Sequence, residues 1–193
     1  FEVLTGMSMQ YFGTGEYPYK TILKETDCES IASDLSSIGY GTHVVHNNGG
    51  NFYSRANAFS MMGFDTFTSK ELMNITEYTP LGSWPTDDIL VDETIKSMDA
   101  TPDQQDLVYT ITVQGHGDYP TEKVIENPEI TVSGAKDEAT NNQWEYYINE
   151  IHEVDKFIGK LKDALAQRDE KTILVLWGDH LPTLGLEESD MAT

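Results

Sequence analysis

Short apolar runs alternate with amphipathic stretches along this chain. Residues 172–177, Thr-Ile-Leu-Val-Leu-Trp, form the strongest run and read as a buried strand stopped at Gly178. Residues 107–113 read the same way and lead into Gln114-Gly115-His116-Gly117-Asp118-Tyr119-Pro120. A shorter strand over 42–45 delivers His46 to a polar, Gly-rich loop at 47–51, and 64–67 is a short extended piece. Helical spacing marks the segments between. Asp27 caps a helix over 28–38 with Ile31, Leu35 and Ile38 on one face, ended by Gly39-Tyr40-Gly41. Residues 52–62 form a helix closed by Gly63, and Asp87 or Asp88 opens another that reaches Met98. The longest helix covers 142–167, with Ile148, Ile151, Asp155, Ile158, Leu161 and Leu165 on one stripe. Residues 68–86 and 121–140 read as loops. Strands alternating with helices predict an α/β fold, a largely parallel sheet sandwiched between helices, with no repeat and no domain linker.

Charge narrows the partners. Of 193 residues, 33 are acidic and only 12 are Lys or Arg, for a net charge of −21. Such a chain repels nucleic acid and anionic membrane surfaces, so neither is expected as a direct partner. The single cysteine, Cys28, excludes an internal disulfide. No run approaches the roughly 18 apolar residues of a membrane span. The chain opens at Phe1-Glu2-Val3-Leu4 and reads as a piece of a longer protein, with any membrane span and further catalytic residues expected upstream.

The chemistry gathers at strand ends. His46, His116 and the pair Asp179-His180 each follow a strand, and a parallel sheet brings such ends to one edge. Asp and His together offer a hard oxygen and a borderline nitrogen, a donor set for Zn, Mn or Fe rather than Ca. Arg55, nine residues past His46, suits bidentate grip on a phosphate or sulfate. The set fits hydrolysis or transfer of a phosphate or sulfate ester. Taken singly, each residue also has a plain role: His116 in a turn, His46 at a strand end, Arg55 on the surface. His43 reads as structural, and His152 and Asp155 read as supporting groups on the long helix.

In their order, these motifs resemble those of lipoteichoic acid synthases, phosphoglycerol transferases of the sulfatase and alkaline phosphatase superfamily. The resemblance covers essentially the whole chain. It rests on Phe1 to Gly6, on His46 with Phe52-Tyr53-Ser54-Arg55, on Gly63-Phe64-Asp65-Thr66-Phe67, on Gly115-His116 with Tyr119-Pro120, and on Gly178-Asp179-His180. It implies an alkaline phosphatase/sulfatase-like fold, incomplete at the N-terminus. It implies that Asp179 and His180 ligate a divalent ion, Mn2+ or Mg2+ ahead of Zn2+ or Ca2+. His116 would bind phosphate oxygens and assist the leaving group. His46, Asn48, Tyr53 and Arg55 would line a glycerophosphate pocket, with Tyr53 where the family often carries Trp.

The implied donor is a phosphatidylglycerol-like lipid, at the extracellular face of a bacterial membrane, in cell-envelope polymer synthesis. The implied nucleophile is a threonine, and the first metal ligand a glutamate, both upstream of Phe1. Thr5 is not assigned as nucleophile, and the chain alone is expected to be inactive and to bind metal weakly. Phosphoethanolamine transferases and phosphodiesterases share such a metal site. A sulfatase proper needs Cys-x-Pro-x-Arg, which Asp27-Cys28-Glu29-Ser30-Ile31 does not match. A non-catalytic extracellular binding domain is the alternative outside enzymes.

Overall fold

The computed structural model describes residues 1–186, which form two compact units. The first comprises Phe1–Ile75 and Ile89–Ile111; the second comprises Thr76–Asp88 and the chain from Thr112 onward.

The first unit is built on a parallel sheet of three strands, β1 (Gly41–His46), β2 (Thr66–Ser69) and β3 (Asp106–Ile111), in the order β2-β1-β3. Every residue of β1 is buried, as the middle strand of a sheet covered on both faces requires. Its polar members are bonded in place. Thr42 gives its N–H and hydroxyl to the Asp65 carboxylate, each at 2.9 Å. His43 is buried and lies between Thr66, Thr101 and Asp106, contacts that brace the strand. The register pairs His46 with both Ser69 and Ile111, so all three strands end at one edge.

Helices of this unit are α1 (Glu2–Thr5), α2 (Ile31–Ser37), α3 (Arg55–Met61) and α4 (Ile89–Asp99). The sheet lies between helices, and Leu4, Leu23, Ala32, Val44, Ala58, Phe59, Met62 and Phe64 form the core. Helix α2 starts later than expected. Ser30, not Asp27, is the cap: its hydroxyl accepts from the N–H groups of Ala32 and Ser33, and Ser33 reciprocates in a capping box. The expected apolar face is also wrong, since Ile31 and Ile38 are exposed and Ala32 is buried. Strand β2 lies two residues past the expected extended piece.

The second unit carries α5 (Glu138–Ala166), begun by Asp137, whose carboxylate accepts from Thr140 N–H at 2.7 Å. Its buried stripe is Tyr146, Asn149, Glu150, Phe157, Leu161 and Leu165 rather than the stripe through Ile151 and Asp155. The rotation follows from polar partners. Asn149 exchanges two bonds with the backbone of Ile130, at 3.1 and 2.8 Å, and so fastens the 121–137 segment to the helix.

The expected strand over 172–177 is not formed. These residues pair with no ladder, and Ile173 and Val175 are 90% and 66% exposed. Apolar composition makes a segment ready for a sheet, but only a neighbour's N–H and C=O groups make it a strand.

Candidate active site

At the C-terminal end of β1, His46 is 2% exposed and its Nδ1 lies 2.8 Å from the Ile111 carbonyl oxygen. A carbonyl only accepts, so Nδ1 carries a proton. The chain then turns through 47–51. Several backbone groups of this loop are engaged. Lys70 N–H donates to the Asn48 carbonyl, Arg55 Nη1 to the Gly49 carbonyl at 3.2 Å, and Ala56 N–H to the Gly50 carbonyl. Asn48 Oδ1 accepts from Gly49 N–H at 2.7 Å. Glu71 accepts from Gly50 N–H at 3.1 Å and from the Ser69 hydroxyl at 2.6 Å, and these bonds hold its carboxyl below the usual range. A side chain at position 50 would come within 3.0 Å of Ser69 Oγ, which explains the glycine.

Tyr53 and Ser54 follow in the left-handed region, at φ 55° and 54°. Two adjacent non-glycine residues there carry strain of about 1–3 kcal/mol each, which the surrounding bonds must hold. The strained pair turns Tyr53 toward a cluster that the sequence did not reveal. Its ring meets Phe52 at 4.5 Å and Tyr17 at 5.7 Å, and Lys20 Nζ lies 3.8 Å from its centroid. Arg55 sits 5.1 Å from the Phe52 ring, and partial burial pulls its pKa below the free value while Tyr53 and Tyr19 pull it back up. It remains a cation at neutral pH. His46, Asn48, Tyr53 and Arg55 therefore occupy one braced segment.

In the second unit, His116 sits in a turn closed by its N–H to the Val113 carbonyl at 2.9 Å. Its ring stands edge-on to Trp84 at 5.3 Å and to His180 at 5.8 Å. Trp84 Nε1 donates to the Gly117 carbonyl, and the Tyr119 hydroxyl donates to the Gly115 carbonyl at 3.0 Å. Asp179 and His180 are exposed, and Asp179 Oδ1 accepts from His180 N–H at 2.9 Å. His180 Nε2 lies 3.5 Å from Asp179 Oδ2.

The structure thus brings His116 and His180 together within one unit, and His46 through Arg55 together within the other. The strand-end argument holds for His46 alone. His116 lies five residues beyond β3, and Asp179-His180 follows no strand. Among the described residues, no group of three or more His, Cys, Asp or Glu is assembled to hold a metal. Asp179 and His180 still fit a divalent ion as two of its ligands, one oxygen and one nitrogen on the same side of a turn. Cys28 has no site character. Its N–H donates to the Met61 carbonyl, and burial raises its thiol pKa.

Comparison with known proteins gives a consistent picture. The family model described as Sulfatase matches residues 1–191. A Rhizobium meliloti (strain 1021) protein named for cyclic beta-1,2-glucan modification is 33% identical over 184 residues, covering 95% of this chain and 28% of its own length. The phosphoglycerol transferase GacH of Streptococcus pyogenes, solved in complex with sn-glycerol-1-phosphate, superimposes with a TM-score of 0.70 at 20% identity, over 88% of this chain and 44% of that one. The lipoteichoic acid synthase LtaP of Listeria monocytogenes does so with a TM-score of 0.64 at 22% identity, over 84% of this chain and 39% of that one. The chain spans less than half the length of each of these relatives.

Proposed function

The chain belongs to the sulfatase family, and on that premise we propose that it forms part of a metal-dependent phosphoglycerol transferase. The donor is a phosphatidylglycerol-type lipid and the acceptor a sugar hydroxyl. The observation that carries this reading is the braced His46–Arg55 segment, where one cation, one buried imidazole and one strained aromatic residue share a loop at the sheet edge. The likeness to phosphoglycerol transferases supports the transferred group, and the Rhizobium meliloti relative's name supports a glucan acceptor.

In this reading Arg55 pairs with two phosphate oxygens, and His46 hydrogen-bonds a glycerol hydroxyl. Tyr53 packs against the glycerol carbons, and Asn48 bonds the remaining hydroxyl. His116 holds a phosphate oxygen and gives a proton to the departing diacylglycerol oxygen. Asp179 and His180 would hold Mn2+ or Mg2+, and that ion would supply Lewis-acid neutralisation of phosphoryl charge. The nucleophile is a threonine outside these residues. Its oxygen bonds to phosphorus as the bond to diacylglycerol breaks, and the acceptor hydroxyl then takes the group from the threonine.

The place of action is the extracellular face of a bacterial membrane. Among the described residues no helix is long and apolar enough to cross a membrane, so attachment would rest on other parts of the protein.

The test uses the whole natural protein with vesicles of phosphatidylglycerol labelled in the headgroup, equimolar phosphatidylethanolamine, and a cyclic glucan. Label on the glucan, with release of diacylglycerol, is expected. Transfer of ethanolamine phosphate instead, release of label to water alone, or no turnover would reject the reading in favour of its phosphoethanolamine, hydrolytic or non-catalytic alternatives.

A further inference from the structure

Three buried polar side chains of the second unit have no part in the proposed reaction. Asp87 is 0% exposed, Glu150 2% and Gln114 5%. Buried carboxyls and amides persist only when bonded, and these are bonded to each other and to the His116 turn. Asp87 accepts from the N–H groups of Val113 at 3.0 Å and Gln114 at 3.2 Å. Its own N–H donates to Gln114 Oε1 at 2.9 Å. Gln114 Nε2 then donates to Glu150 Oε2, on α5, at 3.0 Å. Val113 is also the residue whose carbonyl closes the His116 turn. Packing adds a second tie: a side chain on Gly115 would come within 2.8 Å of Ile151 Cδ1, so the turn lies directly against α5 beside Glu150.

We propose that Glu150, acting through Gln114 and Asp87, is a positioning residue for His116, and that its charge state sets how firmly the turn is held. The geometry gives one route from α5 to the imidazole: Glu150 to the Gln114 amide, Gln114 to Asp87, Asp87 to Val113, and Val113 to His116. An ionised Glu150 accepts a charge-assisted bond from Gln114, and a protonated one accepts only a neutral bond. The groups that face Glu150 are Gln114 on the turn, Asp87 on the segment before α4, and Glu153 and Tyr146 on α5. Burial above all, with Glu153 and Asp87 behind it, pushes its carboxyl up to about 7, against the Gln114 bond that pulls it down. A bond that lowers a pKa is stronger to the ionised form, so the grip on Gln114 tightens as pH rises through that value.

The catalytic meaning of this clasp rests on the proposed role of His116; the clasp itself does not. The experiment therefore reads the turn without substrate. Amide hydrogen exchange of residues 114–117, normalised to intrinsic rates, is followed from about pH 5 to about pH 9, a range that brackets ordinary Glu and His titration. Protection is expected to rise about fivefold across neutral pH, the step from a neutral to a charge-assisted bond. The near-isosteric Glu150→Gln variant should hold the low-pH protection at every pH, and β3 amides should not respond in either protein. A flat wild-type profile overturns the proposal, as does a Glu150→Gln profile that still follows pH. A responsive turn with turnover that ignores pH in the same window would support the clasp and count against the role given to His116.

Discussion

Two segments of this chain both read as short strands beside a histidine, and only one of them forms a strand. Residues 41–46, Gly-Thr-His-Val-Val-His, carry only two large apolar side chains and end in a histidine, whereas residues 172–177, Thr-Ile-Leu-Val-Leu-Trp, are far more apolar and run toward His180. The first is a middle strand, buried along its whole length and bonded on both sides. The second stands exposed and outside any strand ladder, and Asp179 and His180 after it bond mainly to each other and to local backbone. Composition favours the second segment, so what separates them is the ladder partner. Where a ladder fixes the backbone, the histidine at its end is buried with Nδ1 donating to a carbonyl. Without a ladder, the same residue type stays exposed.

The largest effect expected is on the braced side. Arg55→Ala should lower headgroup transfer by about 10²–10³-fold, the loss typical of one preorganised charge donor, with far-UV circular dichroism unchanged. Retained transfer would remove the pocket from the mechanism.

A matched pair of truncations then tests the contrast in packing. Leu90 is 0% exposed and Ile173 is 90% exposed. Leu90→Ala should cost about 2–5 kcal/mol in urea unfolding. Ile173→Ala should stay within about 0.5 kcal/mol. A large cost at Ile173 would mean that the segment is buried in solution, and the comparison would fail.

Glu150 gives a pH test of smaller size. Its folded value of about 7 lies above the 4.5 of a free carboxyl, so the folded state holds the extra proton between these values. Stability from this group is therefore complete below about 4.5 and is lost as pH rises through about 7. Glu150→Gln should flatten that slope and stabilise the protein above neutral pH, by at most about 3 kcal/mol. The check is a chemical-denaturation series across pH, and a steeper slope in the variant would contradict it.

The smallest effect belongs to Glu71. Its pKa is depressed, so its support of Gly50 is present above the usual carboxylate range and fades as pH falls through its lowered value. Glu71→Gln should speed amide exchange at Gly50 severalfold and leave global stability nearly unchanged, since the group is exposed.

Much of the frame was legible in the sequence. The parallel α/β arrangement, the helix from Ile89 to Asp99 and the strand that delivers His46 follow from periodicity and punctuation. Other features were not legible, for separable reasons. The cap at Ser30 was hidden by a competing Asp three residues earlier, and only its reciprocal bond with Ser33 decides between them. The buried face of α5 is set by Asn149 and Glu150, polar residues that a hydrophobic pattern assigns to solvent. The strained pair Tyr53-Ser54 leaves no local signal, because neither residue favours φ above zero. Lys20 and Tyr17 meet Tyr53 only through the fold, with more than thirty positions between them.

The central claim is that residues 46–55 receive the glycerol phosphate group. Titrating this chain with sn-glycerol-1-phosphate and following backbone amide and histidine ring resonances tests it without turnover. The account predicts saturable shifts at His46, Asn48, Tyr53 and Arg55 that vanish in Arg55→Ala. Shifts confined to other parts of the chain, or shifts at these residues that survive Arg55→Ala, would contradict it.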